Sequence, residues 1–113
     1  MGYRNLTVLD AAERVADAIS ALISKVPRRL LHVAQMRRSS HAIAANIGEG
    51  IGRASAGDRR RSFVVARGEA EETIRHLNAN CRGGRTAARD YWPIHNLLTV
   101  VVKMLSSLID RPP

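Results

Sequence analysis

Pro93-Ile94-His95-Asn96-Leu97-Leu98-Thr99-Val100-Val101-Val102-Lys103-Met104-Leu105-Ser106-Ser107-Leu108-Ile109 is the stretch that decides the fold. Ile94, Leu97, Leu98, Val101, Met104, Leu105, Leu108 and Ile109 recur at three- and four-residue steps. That spacing lays a broad apolar stripe along one side of a helix. The β-branched residues fall inside this helical spacing, and no alternating run bounded by hairpin turns occurs anywhere in the chain. Strands are therefore not expected. The helix should begin between Thr86 and Pro93, with Pro93 in its first turn, and Pro112 and Pro113 finish the chain.

Working toward the N-terminus, Cys81-Arg82-Gly83-Gly84-Arg85 reads as a loop, with Gly83 or Gly84 as the helix stop. The helix before it carries Phe63, Ala66, Ala70, Ile74 and Leu77 on one stripe. Its start is marked by the turn Gly52-Arg53-Ala54-Ser55-Ala56-Gly57, where Ser55 and Asp58 have the Ser-x-x-acid spacing of a helix cap. An earlier helix runs from near Arg28 to about Arg53, along Leu30, Val33, Met36, Ser40, Ile43, Ile47 and Ile51. Its small residues, Ser39, Ala42, Ala44, Ala45, Gly48 and Gly50, let another helix approach, so it is expected to be the most enclosed of the set. Gly48 and Gly50 cost about 1 kcal/mol each in a helix interior, so they mark its end or serve close packing. The first helix carries Leu9, Ala12, Val15, Ala16, Ile19, Leu22, Ile23 and Val26, and Pro27 should close it. Four helices with short loops indicate an all-α, antiparallel up-down-up-down four-helix bundle. Residues 1–113 should form it as a single domain.

Length and composition agree. The chain has 113 residues, one domain's worth, and 45% are hydrophobic, which supports a core and argues against disorder. Aromatics are 4%, so the core must be aliphatic. The longest purely apolar run is short of the ~18 residues that span a bilayer, and Met1–Asp10 lacks the apolar stretch of a secretory signal. A cytoplasmic protein with no membrane partner is expected. The single cysteine, Cys81, excludes an intrachain disulfide framework and a cysteine-based zinc site.

Charge is the functional clue. Eighteen Lys and Arg stand against ten Asp and Glu, a net +8, and only Lys25 and Lys103 are lysines. Arginine pairs bidentately with phosphate and carboxylate, so this surplus suits nucleic acid or an acidic protein; GC-rich coding also inflates Arg over Lys. The cations concentrate in the middle of the chain. Arg53, Arg59, Arg60, Arg61 and Arg67 stand against Asp58 alone, Arg82, Arg85 and Arg89 follow, and Arg28, Arg29, Arg37 and Arg38 add to the first half. Arg59, Arg60 and Arg61 have the wrong sign for a helix N-terminus. They either face an anionic partner, meet carboxylates elsewhere or are simply tolerated.

Catalysis has no constellation to carry it. His32, His41, His76 and His95 form no metal-binding repeat, and Glu72 with His76 is spaced by four rather than three with no second copy. No cofactor, metal or catalytic residue is assigned. Gly48-Glu49-Gly50-Ile51-Gly52 fails both phosphate-loop spacings. In the stretch from Gln35 to Arg53, Asn46 and Glu49 share a helix face, Arg53 lies four after Glu49, and Arg38 lies eleven before it. Arg37, Arg38, Asn46, Glu49 and Arg53 are expected to form a polar network that fixes helix register or a subunit contact.

Gln35, Arg37, Arg38, Asn46, Ile47, Glu49, Gly50, Gly52, Arg53 and Ser55 fall in the order and spacing of a family hallmark. Ala66-Arg67-Gly68-Glu69-Ala70-Glu71-Glu72 resembles a second family segment. The chain thus resembles, over nearly its whole length, the four-helix-bundle proteins known as 23S ribosomal RNA intervening-sequence proteins. It departs at Ile43-Ala44, where the family has Ile-Pro, at Gly48 for Ala, and at Glu69 for Ser. The resemblance implies a homo-oligomer, commonly a pentamer around a central channel. A related branch accompanies the reverse transcriptase of diversity-generating retroelements and is associated with nucleic-acid binding.

The expected function is a non-enzymatic, oligomeric, basic adaptor or nucleic-acid-binding protein, with RNA ahead of DNA. Arg59, Arg60, Arg61, Arg67, Arg82, Arg85 and Arg89 are the candidate phosphate contacts. With few aromatics, base stacking should be limited and sequence-specific readout absent. The alternative is an interaction module for a reverse transcriptase or other acidic protein, with no nucleic-acid role.

Overall fold

The apolar stripes become four helices: α1 Tyr3–Ile23, α2 Leu31–Ile51, α3 Ala56–Arg82 and α4 Ala88–Asp110. The structure is a computed structural model that describes residues 3–26, 31–84 and 86–110, with side chains from Thr7 in α1 and from His32 in α2. Among the described residues there is no strand. The turn expected at Pro27, with Arg28, Arg29 and Leu30, lies outside the described residues, as do Arg85 and the closing prolines.

Each helix packs on two others, so the helices form a ring, α1 on α2, α2 on α3, α3 on α4 and α4 on α1, around a shared core. Val15, Ile19, Met36, Ile43, Ile47, Leu77, Leu98, Val101 and Leu105 are wholly enclosed there. Each such side chain contributes roughly 1.5–3 kcal/mol by leaving water. Across α2 and α3, Gly50 meets Phe63, Ser39 bonds Thr73 and His32 stands beside His76, so numbers fall on one helix as they rise on the other. These two helices run antiparallel. Arg60 with Ile109, Arg67 with Ser106 and Tyr91 with Asn78 show the same for α3 and α4.

Several boundaries differ from the sequence reading for local reasons. α2 stops at Ile51, where the Gly52 amide is shared between the carbonyls of Gly48 and Glu49 and the Arg53 amide reaches Gly50. Both glycines are therefore inside the helix. Gly50 serves close packing, since a Cβ there would stand 2.8 Å from the Phe63 ring; Gly48 has nothing within 4 Å. α2 is contacted on two sides, as expected, and its seam with α3 is the most extensive in the bundle. Cys81 and Arg82 are helical rather than loop; Gly83 caps α3 and Gly84 turns the chain at φ +75°. Pro93 sits in the second turn of α4, not the first, because Ala88 already opens the helix. The cap at Ser55 stands: its hydroxyl accepts from the Asp58 amide at 3.1 Å.

α4 is long and apolar enough, by length and composition, to cross a membrane. In the bundle, Ile94, Leu98, Val101, Leu105, Leu108 and Ile109 face the core.

Candidate nucleic-acid interface

The arginines read from the sequence do not form one surface. Arg59, Arg60 and Arg61 open α3 and Arg67 follows, whereas Arg82 lies in its last turn, about 35 Å from Arg59 at about 1.5 Å per residue, and Arg89 lies in the first turn of α4. The start of α3 lies beside the ends of α2 and α4, where helix carbonyls lack partners. Arg59 donates to the Arg53 carbonyl and Arg60 to the Ile109 carbonyl, both at 3.4 Å, while Arg61 pairs with Asp58 at 2.9 Å. This is why three cations are tolerated at a helix N-terminus: two of them reach the negative ends of neighbouring elements. Further along, Arg67 donates to the Ser106 hydroxyl at 3.2 Å. These four candidates are engaged within the chain.

The other end of α3 is different. Arg82 and Arg89 are exposed, and among the described residues neither makes a hydrogen bond or ion pair. Arg75, two turns before Arg82 on the same helix face, is likewise exposed and unpaired. The sequence reading overlooked Arg75; its seven-residue spacing from Arg82 was the available signal. Trp92 stands three residues after Arg89 and is 55% exposed. It borders an open cleft of about 290 Å³ lined also by Asn78, Cys81, Arg82, Ala88 and Tyr91. The sequence reading discounted this aromatic on composition alone. Arg85 lies outside the described residues.

The expected network of Arg37, Arg38, Asn46, Glu49 and Arg53 separates into parts. Arg38 reaches across to α3 and pairs with Glu69 at 3.1 Å and with Glu72. Those bonds, Glu69 first, hold its guanidinium still more firmly protonated than usual. Glu69, the departure from the family pattern, thus acquires a partner on α2. Beneath this pair, Ser39 and Thr73 are fully buried and bond each other at 2.7 Å. Glu49 and Arg53 are exposed and pair with each other, and the Asn46 amide donates to Ala42 on its own helix at 2.8 Å. Among the described residues the side chains of these three bond no other helix, and only the Arg53 carbonyl does, accepting from Arg59 of α3; they do not join Arg38 in one network within the chain. Arg37 is exposed and unpaired.

Near this seam, His76 lies 4.0 Å from Glu72, and its ring stands 5.8 Å from that of His32. Burial, then the nearby His32, Arg75 and Arg38, push its pKa below 6.5 against the pull of Glu72. Among the described residues no group of three His, Cys, Asp or Glu side chains converges on a metal-sized space.

The sequence profile of the 23S rRNA-intervening sequence proteins matches residues 4–107. No curated protein matches the chain significantly. Among solved structures, a protein of unknown function from the S23 ribosomal protein family of Bacteroides thetaiotaomicron is similar, with a TM-score of 0.88 and 27% identity over 95% of this chain and 98% of that one. A bundle of this shape, matched by one profile from α1 through most of α4, belongs to the 23S rRNA-intervening sequence protein family.

Proposed function

We propose that this protein is a non-enzymatic, oligomeric, basic protein that binds nucleic acid with little sequence preference. The carrying observation is the group Arg75, Arg82 and Arg89, exposed and without intramolecular partners on a chain of net +8. Phosphates supply the counter-charge such guanidiniums lack, and backbone contacts of this kind give affinity without reading sequence. RNA is favoured over DNA because the family is tied by name to 23S rRNA. Assembly into a ring of five would repeat the group on each subunit, and weak contacts would add through multivalency.

A second reading rests on a different surface. Between the end of α1 and α2, Ile23, Val33 and Ala34 floor a cleft of about 390 Å³ rimmed by Arg37, Arg38 and His41. An apolar floor with a cationic rim suits an acidic protein segment carrying an apolar anchor.

Polarisation of a labelled mixed-sequence RNA separates the two. The nucleic-acid reading expects binding at ~50 mM salt, weakened as salt rises. No binding there, together with retention of an acidic apolar peptide, would favour the second.

A further inference from the structure

We infer that Trp92 is a stacking platform for an unpaired nucleobase, which rests on the nucleic-acid reading above and assigns it a substrate class, single strands. Trp92 is the chain's one tryptophan, and more than half of its surface is open to solvent. An indole on a helix of a small bundle has apolar surface to bury, yet this one is left at the mouth of a cleft.

Its surroundings hold it in place. The Tyr91 and Trp92 rings are 4.9 Å apart at 84°, and Trp92 and His95 are 5.6 Å apart at 75°. Tyr91 and His95 stack on one another at 5.3 Å. Tyr91 is anchored in turn, its hydroxyl donating to Asn78 on α3 at 2.6 Å. The indole therefore stands edge-to-face on a fixed pair of rings, and a base stacking on it orders no mobile partner.

Charge lies where the strand would run. Arg82 lines the same cleft and is unpaired; Arg89, also unpaired, lies one helical turn from Trp92 along α4 but lines a separate cleft toward α1 beside Lys25. A base on the indole would leave a flanking phosphate within the field of the Arg82 guanidinium. Stacking plus backbone cations is the recurrent chemistry of single-strand binding, and it tolerates any base because every base offers a π-face. A duplex, with its bases already stacked, cannot use the platform.

Trp92 emission reads the contact directly, since no other tryptophan contributes. The full-length protein is titrated with three probes: octa-adenylate RNA, an abasic ribose-phosphate octamer and a blunt RNA duplex. Octa-adenylate should quench the emission, whereas the abasic octamer and the duplex should bind without quenching. Trp92→Ala should weaken octa-adenylate binding about tenfold, with affinity for the abasic octamer unchanged, and Trp92→Phe should recover most of the loss. Helicity of both variants, followed by circular dichroism, separates loss of contact from loss of fold. Binding of octa-adenylate with unaltered emission, and equal affinity in Trp92→Ala, would overturn the stacking role and leave the nucleic-acid reading standing. No binding of any probe would overturn both. An indole in the free protein that acrylamide cannot quench would also overturn it, because another copy of the chain would then cover Trp92.

Discussion

Gly48 and Gly50 are two positions apart in α2 and differ in what surrounds them. A methyl group at Gly50 would meet the Phe63 ring at 2.8 Å and Ser62 at 3.0 Å, so α2 and α3 would have to part. Gly50→Ala should destabilise the protein by about 1–3 kcal/mol, the usual range for overpacking. At Gly48 nothing lies within 4 Å, and the helix-propensity term acts alone. Gly48→Ala should stabilise by about 0.5–1 kcal/mol. Urea unfolding of the two variants checks the pair; shifts of the same sign would contradict the register of α2 on α3. The sequence offered two equivalent glycines, and only the facing Phe63 distinguishes them. The same limit explains Arg38. Spacing along α2 suggested Glu49 as company for it, because a helical repeat shows only neighbours on one helix. Its actual partners, Glu69 and Glu72, lie more than thirty positions away and are set by the register of two helices.

At the scale of elements, stripes and caps were legible because they are local. The Ser55 cap is written in four residues, and Ser55→Ala should cost about 1 kcal/mol of stability, measurable by thermal unfolding. An unchanged midpoint would mean that the start of α3 is held by other contacts. Arg59 and Arg60 were harder to read. Their sign left open an anionic partner, carboxylates elsewhere or simple tolerance, whereas the ends of neighbouring elements supply carbonyls that no local pattern reveals. The seam between α2 and α3 also predicts a pH dependence. The folded pKa of His76 lies below its ordinary 6.5, so the unfolded chain binds more protons just below that value. Its contribution is complete above pH 6.5 and is lost as pH falls toward the lowered folded pKa. The urea midpoint should therefore drop between about pH 7.5 and 5.5, and His76→Gln should flatten the drop. A midpoint that rises over this range would contradict the placement of His76 among His32, Arg75 and Arg38.

The whole molecule presents Val64, Val65 and Val100 to solvent along with Trp92. In the oligomer proposed above, the three valines, which the bundle does not use, would be surface for another copy, with Trp92 left open to a base. Light scattering at micromolar concentration should report five times the 12.4 kDa of one chain; a monomer would remove the ring. At this scale the sequence carried the net charge but not its division, since only the length of α3 separates arginines engaged within the fold from those left without partners. That division makes the central claim measurable through the salt dependence of RNA affinity. Each phosphate contact on a single strand contributes about 0.7 to the slope of log affinity against log salt. Replacing Arg75, Arg82 and Arg89 together by Gln should reduce that slope by about two and leave helicity intact, because exposed changes of this kind cost little stability. Replacing Arg59, Arg60 and Arg67 should instead lower stability and change the slope less. An unaltered slope in the first variant, or an unmodified protein that fails to bind RNA at ~50 mM salt, would contradict the account.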